Sequence, residues 1–176
     1  ARVAWDIPVA QKRWMDKLSR WLSQLEADAG CPLRREPGME WAASHAWWGE
    51  KKVRPHSHEG VDLVFDCPVQ PAVKAIEAGL CLAVIDDFLG QSVFVEATDK
   101  STVWVYAHLA LEPSIAVGVE VTAESVLGRA AVSRKACPSH VHLSRLQVSG
   151  GDTVWSQVQW STIHSVSTIC FLPVVL

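Results

Sequence analysis

Apolar residues near the start of the chain follow the spacing of one face of an α-helix. Between residues 8 and 29 they recur every three or four positions, a period that places them on one side of a helix. They are Trp14, Leu18, Trp21, Leu22 and Leu25. We predict a helix over residues 8–29 that packs on the rest of the domain. The alternative is a helix that tethers the domain to a protein partner.

From residue 31 onward the pattern changes to short runs of Val, Ile, Leu and Trp that are separated by turn residues. This pattern predicts an antiparallel sheet, so the fold class is mainly β (α+β) with one N-terminal helix. We place a boundary that leaves helix and loop in residues 1–37 and the sheet domain in residues 38–176. Strands are expected at 60–65, 72–78, 80–86, 92–97, 102–109, 119–121, 130–133 and 141–146, with turns at 117–118 and 127–128, a loop over 147–160 and a strand-length run at 169–176.

The composition excludes several classes of protein. With 176 residues, of which 49% are apolar, the chain can bury the core of one domain. A net charge of −3 without a basic run argues against nucleic acid and anionic membranes as partners. No segment has the length of a transmembrane span. Of the nine tryptophans, Trp47 and Trp48 are interpreted as packing at the end of the sheet, with a substrate groove as the alternative.

The five cysteines are an odd number and contain no Cys-x-x-Cys pair, so a zinc finger is excluded and at least one thiol is not paired within the chain. In an exported protein Cys67 and Cys81 are the pair that we consider, although spacing does not establish connectivity. Cys137 is a minor candidate for a metal ligand because it lies three residues before His140.

Three short segments carry side chains that bind metals. His140 and His142 are two residues apart, so on a strand both imidazoles point to the same side. His58 and Asp62 are four apart, and Gly60 between them permits the bend that would bring both onto one ion. Each motif alone is more often a surface feature. Together they supply two imidazoles and a carboxylate, the ligand set of a zinc hydrolase with an open coordination position.

His108 lies in an otherwise apolar predicted strand, within the sequence Tyr-Ala-His-Leu at residues 106–109. A single histidine in such a strand is more often a core residue with a satisfied hydrogen bond. However, burial of an imidazole requires a polar partner, and a polar cavity would provide one.

The order His-x-Gly-x-Asp, Tyr-Ala-His-Leu and His-x-His resembles the lysostaphin/LytM-type zinc endopeptidases, peptidase family M23. The similarity extends over residues 53–146. It implies an antiparallel LytM-like metallopeptidase domain, known as the duplicated hybrid motif. It implies Zn²⁺ bound by His58, Asp62 and His142, and His108 and His140 as the catalytic pair. It further implies peptidoglycan or another peptide as the substrate, and therefore export to the periplasm, cell envelope or exterior of a bacterium. A signal peptide is not visible in this chain.

The chain departs from the family pattern around the last motif. The family generally has Gly-Pro before His-x-His and Phe-Glu soon after it, whereas this chain has Cys137-Pro138-Ser139 before and Leu143-Ser144 after. We expect these changes to alter the groove, and therefore the substrate, more than the metal site.

The implied roles define a mechanism that can be tested. His140 is the expected general base, and His108 is expected to donate a hydrogen bond to the developing oxyanion. Because an unperturbed histidine titrates near ~6.5, activity should be highest near neutral pH and fall in acid. Glu59 is interpreted as a surface residue because its side chain should point away from that of His58.

Three other functions are considered. A catalytically inactive LytM-like domain would bind or activate a cell-wall enzyme; such domains usually lack some ligands, and this chain has them all. A mononuclear iron oxygenase uses two histidines and one carboxylate but leaves His108 and His140 without a role. A phosphocarrier needs no carboxylate like Asp62, and a lipoyl-type domain needs a hairpin lysine, which residues 117–128 lack.

Overall fold

The computed structural model describes residues 9–49, 52–133 and 136–176, without the side chains of residues 9–12. The described residues form one helix, nine strands that pair antiparallel, and two short 3₁₀ turns. The predicted fold class is therefore confirmed. The elements are α1 (Val9–Ala29), β1 (Val61–Leu63), β2 (Val73–Lys74), β3 (Gly79–Asp86), β4 (Gln91–Ala97), β5 (Val103–Leu111), β6 (Glu120–Val121), β7 (Val126–Ala130), β8 (Val141–Val148), 3₁₀ turns at Trp155–Gln157 and Ile163–Ser165, and β9 (Ile169–Leu172).

The strands β5 and β8 lie at the centre of the sheet. The main order is β1-β8-β5-β4-β3-β6, while β9 also pairs with β8, and β7 pairs with both β2 and the end of β5. In this arrangement the start of β8 lies between β1 and β5. All three predicted metal-site segments therefore belong to neighbouring strands or immediately precede them.

The helix packs on one face of the sheet, as the spacing of its apolar residues predicts. The side chains of Leu18, Trp21, Leu22 and Leu25 are buried in the same hydrophobic cluster as residues of the sheet. The ring centroid of Trp21 lies 6.4 Å from that of Tyr106. The apolar face of α1 is thus occupied by the domain itself, and the boundary at residues 37 and 38 stays a prediction. Among the described helices, none combines the length and hydrophobicity needed to cross a bilayer.

The second face of the sheet is covered by residues that follow β8. Val158 and Ile163 pack there against Phe94, Val105 and Leu146, so residues 147–160 contain anchoring contacts as well as loop. Because both faces of the sheet are covered, every residue from Val103 to Leu109 in β5 is buried. A polar side chain in this strand must therefore face an enclosed polar site.

Several predicted strands differ from the structure, among them the one expected at 60–65, which covers only Val61–Leu63. The strand expected at 130–133 lies instead at Val126–Ala130, and the one expected at 72–78 covers only Val73–Lys74. Leu127-Gly128 is therefore strand and not turn, whereas Gly118 does occupy a turn with φ +87°. A Cβ at Gly128 would overlap the carbonyl group of Ala110, so the glycine permits close strand pairing.

The disulfide joins Cys31 to Cys67, so the pairing of Cys67 with Cys81 was wrong. Cys81 is a buried free thiol within β3. Cys31 follows the end of α1, and Cys67 follows β1 and its short continuation to Phe65. The bond therefore ties the end of the helix to the segment that enters the sheet.

Removal of this disulfide should lower the free energy of unfolding. It closes a loop with a sequence separation of 36 residues, for which chain entropy gives about 4 kcal/mol. We expect a Cys31→Ala/Cys67→Ala variant to show a loss of about 2–4 kcal/mol in urea denaturation. Cys170→Ala is the control because that thiol is free and exposed. Equal stability of the double variant and the control would contradict the prediction.

Candidate metal centre

The five residues singled out from the sequence line one cavity of about 190 Å³. Asp62 lies in β1, His108 in β5 and His142 in β8, whereas His58 and His140 directly precede β1 and β8. Asp62 pairs with His142 across the β1–β8 ladder, and Ala107 pairs with His142 on its other side. The sheet register thus brings the separate motifs together.

His58, Asp62 and His142 form a compact group of three potential ligand atoms. Nε2 of His58 lies 3.1 Å from Oδ1 of Asp62 and 3.2 Å from Nδ1 of His142, and the last two atoms are 3.1 Å apart. All three side chains are almost entirely buried. A single cation can therefore be shared by these atoms.

Gly60 makes this approach possible. A Cβ at this position would overlap the carbonyl oxygen of Leu143 and lie 2.7 Å from Nε2 of His142. Only glycine allows the segment between His58 and Asp62 to lie so close to β8. The sequence predicted a bend at this residue, and the structure shows a close approach to β8 as well.

The hydrogen bonds on the outer edges of the two imidazoles define which nitrogens face the cavity without a proton. Nδ1 of His58 donates to the carbonyl oxygen of Glu40 at 2.8 Å, which leaves Nε2 as the free lone pair. The Ser144 hydroxyl donates to the carbonyl oxygen of Glu59, so it accepts from Nε2 of His142 at 2.8 Å and leaves Nδ1 free. Such outer partners are typical of histidines that bind metals.

The carboxylate of Asp62 is held through its second oxygen. Oδ2 accepts from Nε1 of Trp47 at 2.8 Å and from Nη2 of Arg54 at 3.3 Å, so Oδ1 faces the two imidazoles. Both donors on Oδ2 are N–H groups and one belongs to a guanidinium, so the carboxyl group is held in its ionised form.

The donor set fits a divalent metal. Burial lowers the pKa of His142 to about 4, so its imidazole is neutral at pH 7, the form that binds a metal. The lone pairs of Nε2 in His58 and Nδ1 in His142 then face Oδ1 of Asp62, while the proton of each ring lies on its outer nitrogen. A cation bound among these three atoms stabilises the arrangement. Two imidazoles and a carboxylate are a ligand set of catalytic zinc.

His140 and His108 lie beside this group. Nδ1 of His140 donates to the carbonyl oxygen of Pro138 at 2.9 Å, and Nε2 lies 3.5 Å from Oδ1 of Asp62. Burial lowers the pKa of His140, so the ring is neutral at neutral pH. The ring of His108 lies 5.0 Å from that of His140. Their catalytic roles stay predictions.

Tryptophans border the cavity on two sides. Trp48 lines it, and the rings of Trp47 and Trp48 lie 5.5 and 5.6 Å from the ring of His140. Trp48 therefore lines the cavity and does not simply pack at the end of the sheet, whereas Trp47 packs behind it and donates to Asp62; a role in a substrate groove stays a prediction. Trp160 lines the cavity from the segment after β8. The Trp-Trp pair just before the first motif was the sequence signal.

Two further residues near the site differ from expectation. Glu59 is not a simple surface residue, because its carboxylate lies 3.2 Å from Nε2 of His164 at the edge of the cavity. Cys137 lies outside the ligand group, with Sγ 3.7 Å from Nδ1 of His140. Burial raises the pKa of its thiol to about 11, so the thiol stays protonated at neutral pH.

Sequence reasoning also missed Ser144, Arg54 and Asp87, none of which lies in a metal-binding motif.

Neither a protein-family model nor a curated protein matches this sequence. Among solved structures, the chain is similar to the catalytic domain of the antimicrobial peptidase lysostaphin from Staphylococcus simulans, with 19% identity and a TM-score of 0.51 over 72% of this chain and 83% of that chain. LytU is similar with 20% identity and a TM-score of 0.48 over 67% and 78% of the two chains. A zinc-containing peptidase from Vibrio cholerae is similar with 18% identity and a TM-score of 0.48, over 64% of this chain and 33% of that one. The first of these likenesses, together with the antiparallel sheet, establishes that the chain has the LytM/M23-type fold of the lysostaphin catalytic domain.

Proposed function

We propose that this chain is a zinc-dependent metalloendopeptidase that cleaves peptide bonds in bacterial peptidoglycan. The observation that carries the proposal is the convergence of two imidazole nitrogens and one carboxylate oxygen within 3.2 Å of one another. The hydrogen bonds that turn their protons outward support metal binding. A peptidase fold with this ligand set is consistent with hydrolysis of an amide bond.

In this proposal His58, Asp62 and His142 hold the metal. Zinc bound in such a site supplies Lewis acidity and lowers the pKa of water toward neutrality. Glu40 and Ser144 orient the two imidazoles through hydrogen bonds at 2.8 Å. Trp47 and Arg54 hold the second oxygen of Asp62, so that the first stays directed at the metal position.

The two remaining histidines carry the proton transfers. His140 has its proton on Nδ1, bound to the carbonyl oxygen of Pro138, so its Nε2 is available to take a proton from the attacking water. His108, on the neighbouring strand, is the group that stabilises negative charge on the carbonyl oxygen of the scissile bond. Both side chains line the cavity.

The substrate part of the proposal is supported by the cavity and by the name of a structural neighbour. The cavity of about 190 Å³ has aromatic walls that include Trp48, Phe88 and Trp160. Lysostaphin, whose catalytic domain has the same fold, is described as an antimicrobial peptidase.

Export is part of the same proposal. Peptidoglycan lies outside the cytoplasm, so the enzyme must meet its substrate there. The disulfide between Cys31 and Cys67 supports this location, because disulfides persist in oxidising compartments such as the periplasm and the cell exterior.

A second candidate function is a catalytically inactive domain that binds or activates a cell-wall enzyme. One contact favours it: Nη2 of Arg54 lies 3.3 Å from Oδ2 of Asp62. This guanidinium partly neutralises the carboxylate and so weakens its attraction for a cation. Metal content discriminates between the two functions.

The proposal is tested by elemental analysis and digestion of purified peptidoglycan. We expect about one zinc per chain after dialysis, and release of new amino groups from the peptidoglycan that a chelator prevents. Stoichiometric iron in place of zinc would indicate an oxygenase. A protein that binds no metal after incubation with zinc, and releases no amino groups, would contradict the proposal and favour the inactive domain.

A further inference from the structure

His108 has a backbone conformation that is unusual for its position in a strand. Its φ is +64°, in the left-handed region that residues other than glycine seldom adopt. Between the pairs Gln91–Leu109 and Val93–Tyr106 of β4 and β5, the register shifts by one residue. Two residues of β5 therefore oppose one residue of β4 at this point, which is a β-bulge. Bulges redirect side chains and occur frequently beside active sites.

Asp87 contacts this bulge in two ways. It directly follows the end of β3, and its side chain is completely buried. Oδ2 accepts a hydrogen bond from the backbone N–H of His108 at 3.0 Å. Oδ1 lies 3.0 Å from Nδ1 of the same residue. One carboxylate therefore holds both the strained backbone and the imidazole.

The carboxylate of Asp87 is itself firmly held. Ser92 donates to Oδ2 through its hydroxyl at 2.8 Å, and the backbone N–H of Leu89 donates to Oδ1 at 2.7 Å. Nε1 of Trp160, a cavity residue, donates in turn to the Ser92 hydroxyl at 2.8 Å. Although burial alone raises the pKa of Asp87, its interaction with His108 lowers this pKa overall. The group is an ionised acceptor in a fixed orientation.

The imidazole of His108 has one acceptor within reach on its Nδ1 edge. Oδ1 of Asp87 lies 3.0 Å from Nδ1 as an ion-pair contact that is not aligned as a hydrogen bond, and among the described residues no other group pairs with this nitrogen. An ionised carboxylate only accepts hydrogen bonds, so Nδ1 must carry the proton. Nε2, on the other edge of the ring, is then the nitrogen available for proton exchange in the cavity.

We propose that Asp87 is a positioning residue, which fixes His108 with a proton on Nδ1, so that Nε2 is the nitrogen that takes up the second proton and, in the charged ring, donates a hydrogen bond to the oxyanion of the substrate. This inference rests on the proposed peptidase function for its consequence, but the tautomer itself does not depend on activity. Every proton that His108 gives or receives then passes through Nε2. A carboxylate that orients a catalytic imidazole in this way controls both its tautomer and its direction.

The tautomer is measured by ¹⁵N-edited NMR of the whole chain, with His108→Gln used to identify the His108 signals. In the wild type the neutral ring should carry its proton on Nδ1. In Asp87→Asn an amide oxygen in the Oδ2 position can still accept from the His108 N–H and from Ser92, while the NH₂ group in the Oδ1 position donates toward Nδ1 and loses the hydrogen bond from the Leu89 N–H. The proton should therefore move to Nε2. Asp86→Asn is the control, since this exposed neighbour in β3 has no contact with the imidazole.

Kinetics test the consequence for catalysis. We expect Asp87→Asn to keep its zinc and a KM within about twofold of wild type, while kcat falls roughly 10²-fold or more. Asp86→Asn should match wild type in the tautomer, zinc content and both kinetic constants. Loss of zinc together with kcat in Asp87→Asn would indicate a merely structural role and overturn the inference.

The wild-type spectrum, once its His108 signals are identified, decides the inference without the Asp87→Asn variant. A proton on Nε2 of neutral His108 would overturn it, even where Asp87→Asn fails to fold. A wild-type protein that has the Nδ1 proton but no peptidase activity would contradict the proposed function alone. The two failures are therefore distinguishable.

Discussion

Replacement of Asp62 by alanine should remove the metal and abolish peptidase activity. Asp62 supplies the single negative charge among the three candidate ligands, and its Oδ1 lies 3.1 Å from both imidazole nitrogens. Zinc sites with four protein ligands bind with about 10–16 kcal/mol, so one ligand contributes on the order of 3 kcal/mol, roughly a hundredfold in affinity. Because of this loss in affinity, we expect less than about a tenth of the wild-type zinc to remain bound after dialysis.

The matched control is Asp66→Ala, four residues along the chain. Asp66 is exposed and pairs with Arg34 at 2.6 Å, remote from the cavity. This variant should retain zinc and activity. Stoichiometric zinc in Asp62→Ala would contradict the ligand set. A melting temperature for each variant is needed as well, because Asp62→Ala also removes the partner of Arg54, whose side chain is largely buried.

Much of the fold could be predicted because its cause is local. The helix α1 follows from apolar spacing, and most strands follow from runs of β-branched and aromatic residues. The strand β7 was misplaced because glycine, here Gly128, is a residue type that is frequent in turns. Its actual cause is the nearby Ala110 carbonyl group, which leaves no room for a Cβ. That contact joins strands distant in sequence, so local patterns do not contain it.

The same distinction applies to the cysteines. Spacing within the chain does not determine which thiols meet, since the fold brings their Cα atoms together. Cys31 and Cys67 have Cα atoms 6.3 Å apart because α1 ends beside the segment that follows β1. Cys81 is closer to Cys67 in sequence, but its side chain is buried in the core beneath the helix.

The residues of the candidate site also differ in whether the sequence identifies them. The five histidine and aspartate residues were identifiable because their order and spacing are carried by short motifs. The residues that orient them were not, because Arg54, Asp87 and Ser144 reach the site from three separate parts of the chain. The family resemblance did mark the place of Ser144, where a glutamate is usual. In this chain the hydroxyl forms a relay from His142 to the carbonyl oxygen of Glu59.

Replacement of His140 by alanine should separate metal binding from catalysis. Its Nε2 is outside the group formed by His58, Asp62 and His142, so zinc content should equal that of the wild type. Loss of a general base typically costs 10²–10⁴-fold, and we expect a fall in kcat of roughly that size with KM little changed. Zinc analysis and steady-state kinetics on a synthetic peptide measure both effects.

The dependence of activity on pH identifies the base. An imidazole must be neutral to accept a proton, so as a general base it acts at pH values above its own pKa. Burial lowers the pKa of His140, which means that wild-type kcat/KM should stay high below pH 6.5 and fall only in stronger acid. The residual activity of His140→Ala should lack this acidic decline. His45→Ala is the control, because His45 is exposed and outside the cavity. Wild-type kcat in His140→Ala would exclude His140 as the base, and loss of zinc would instead make it a ligand.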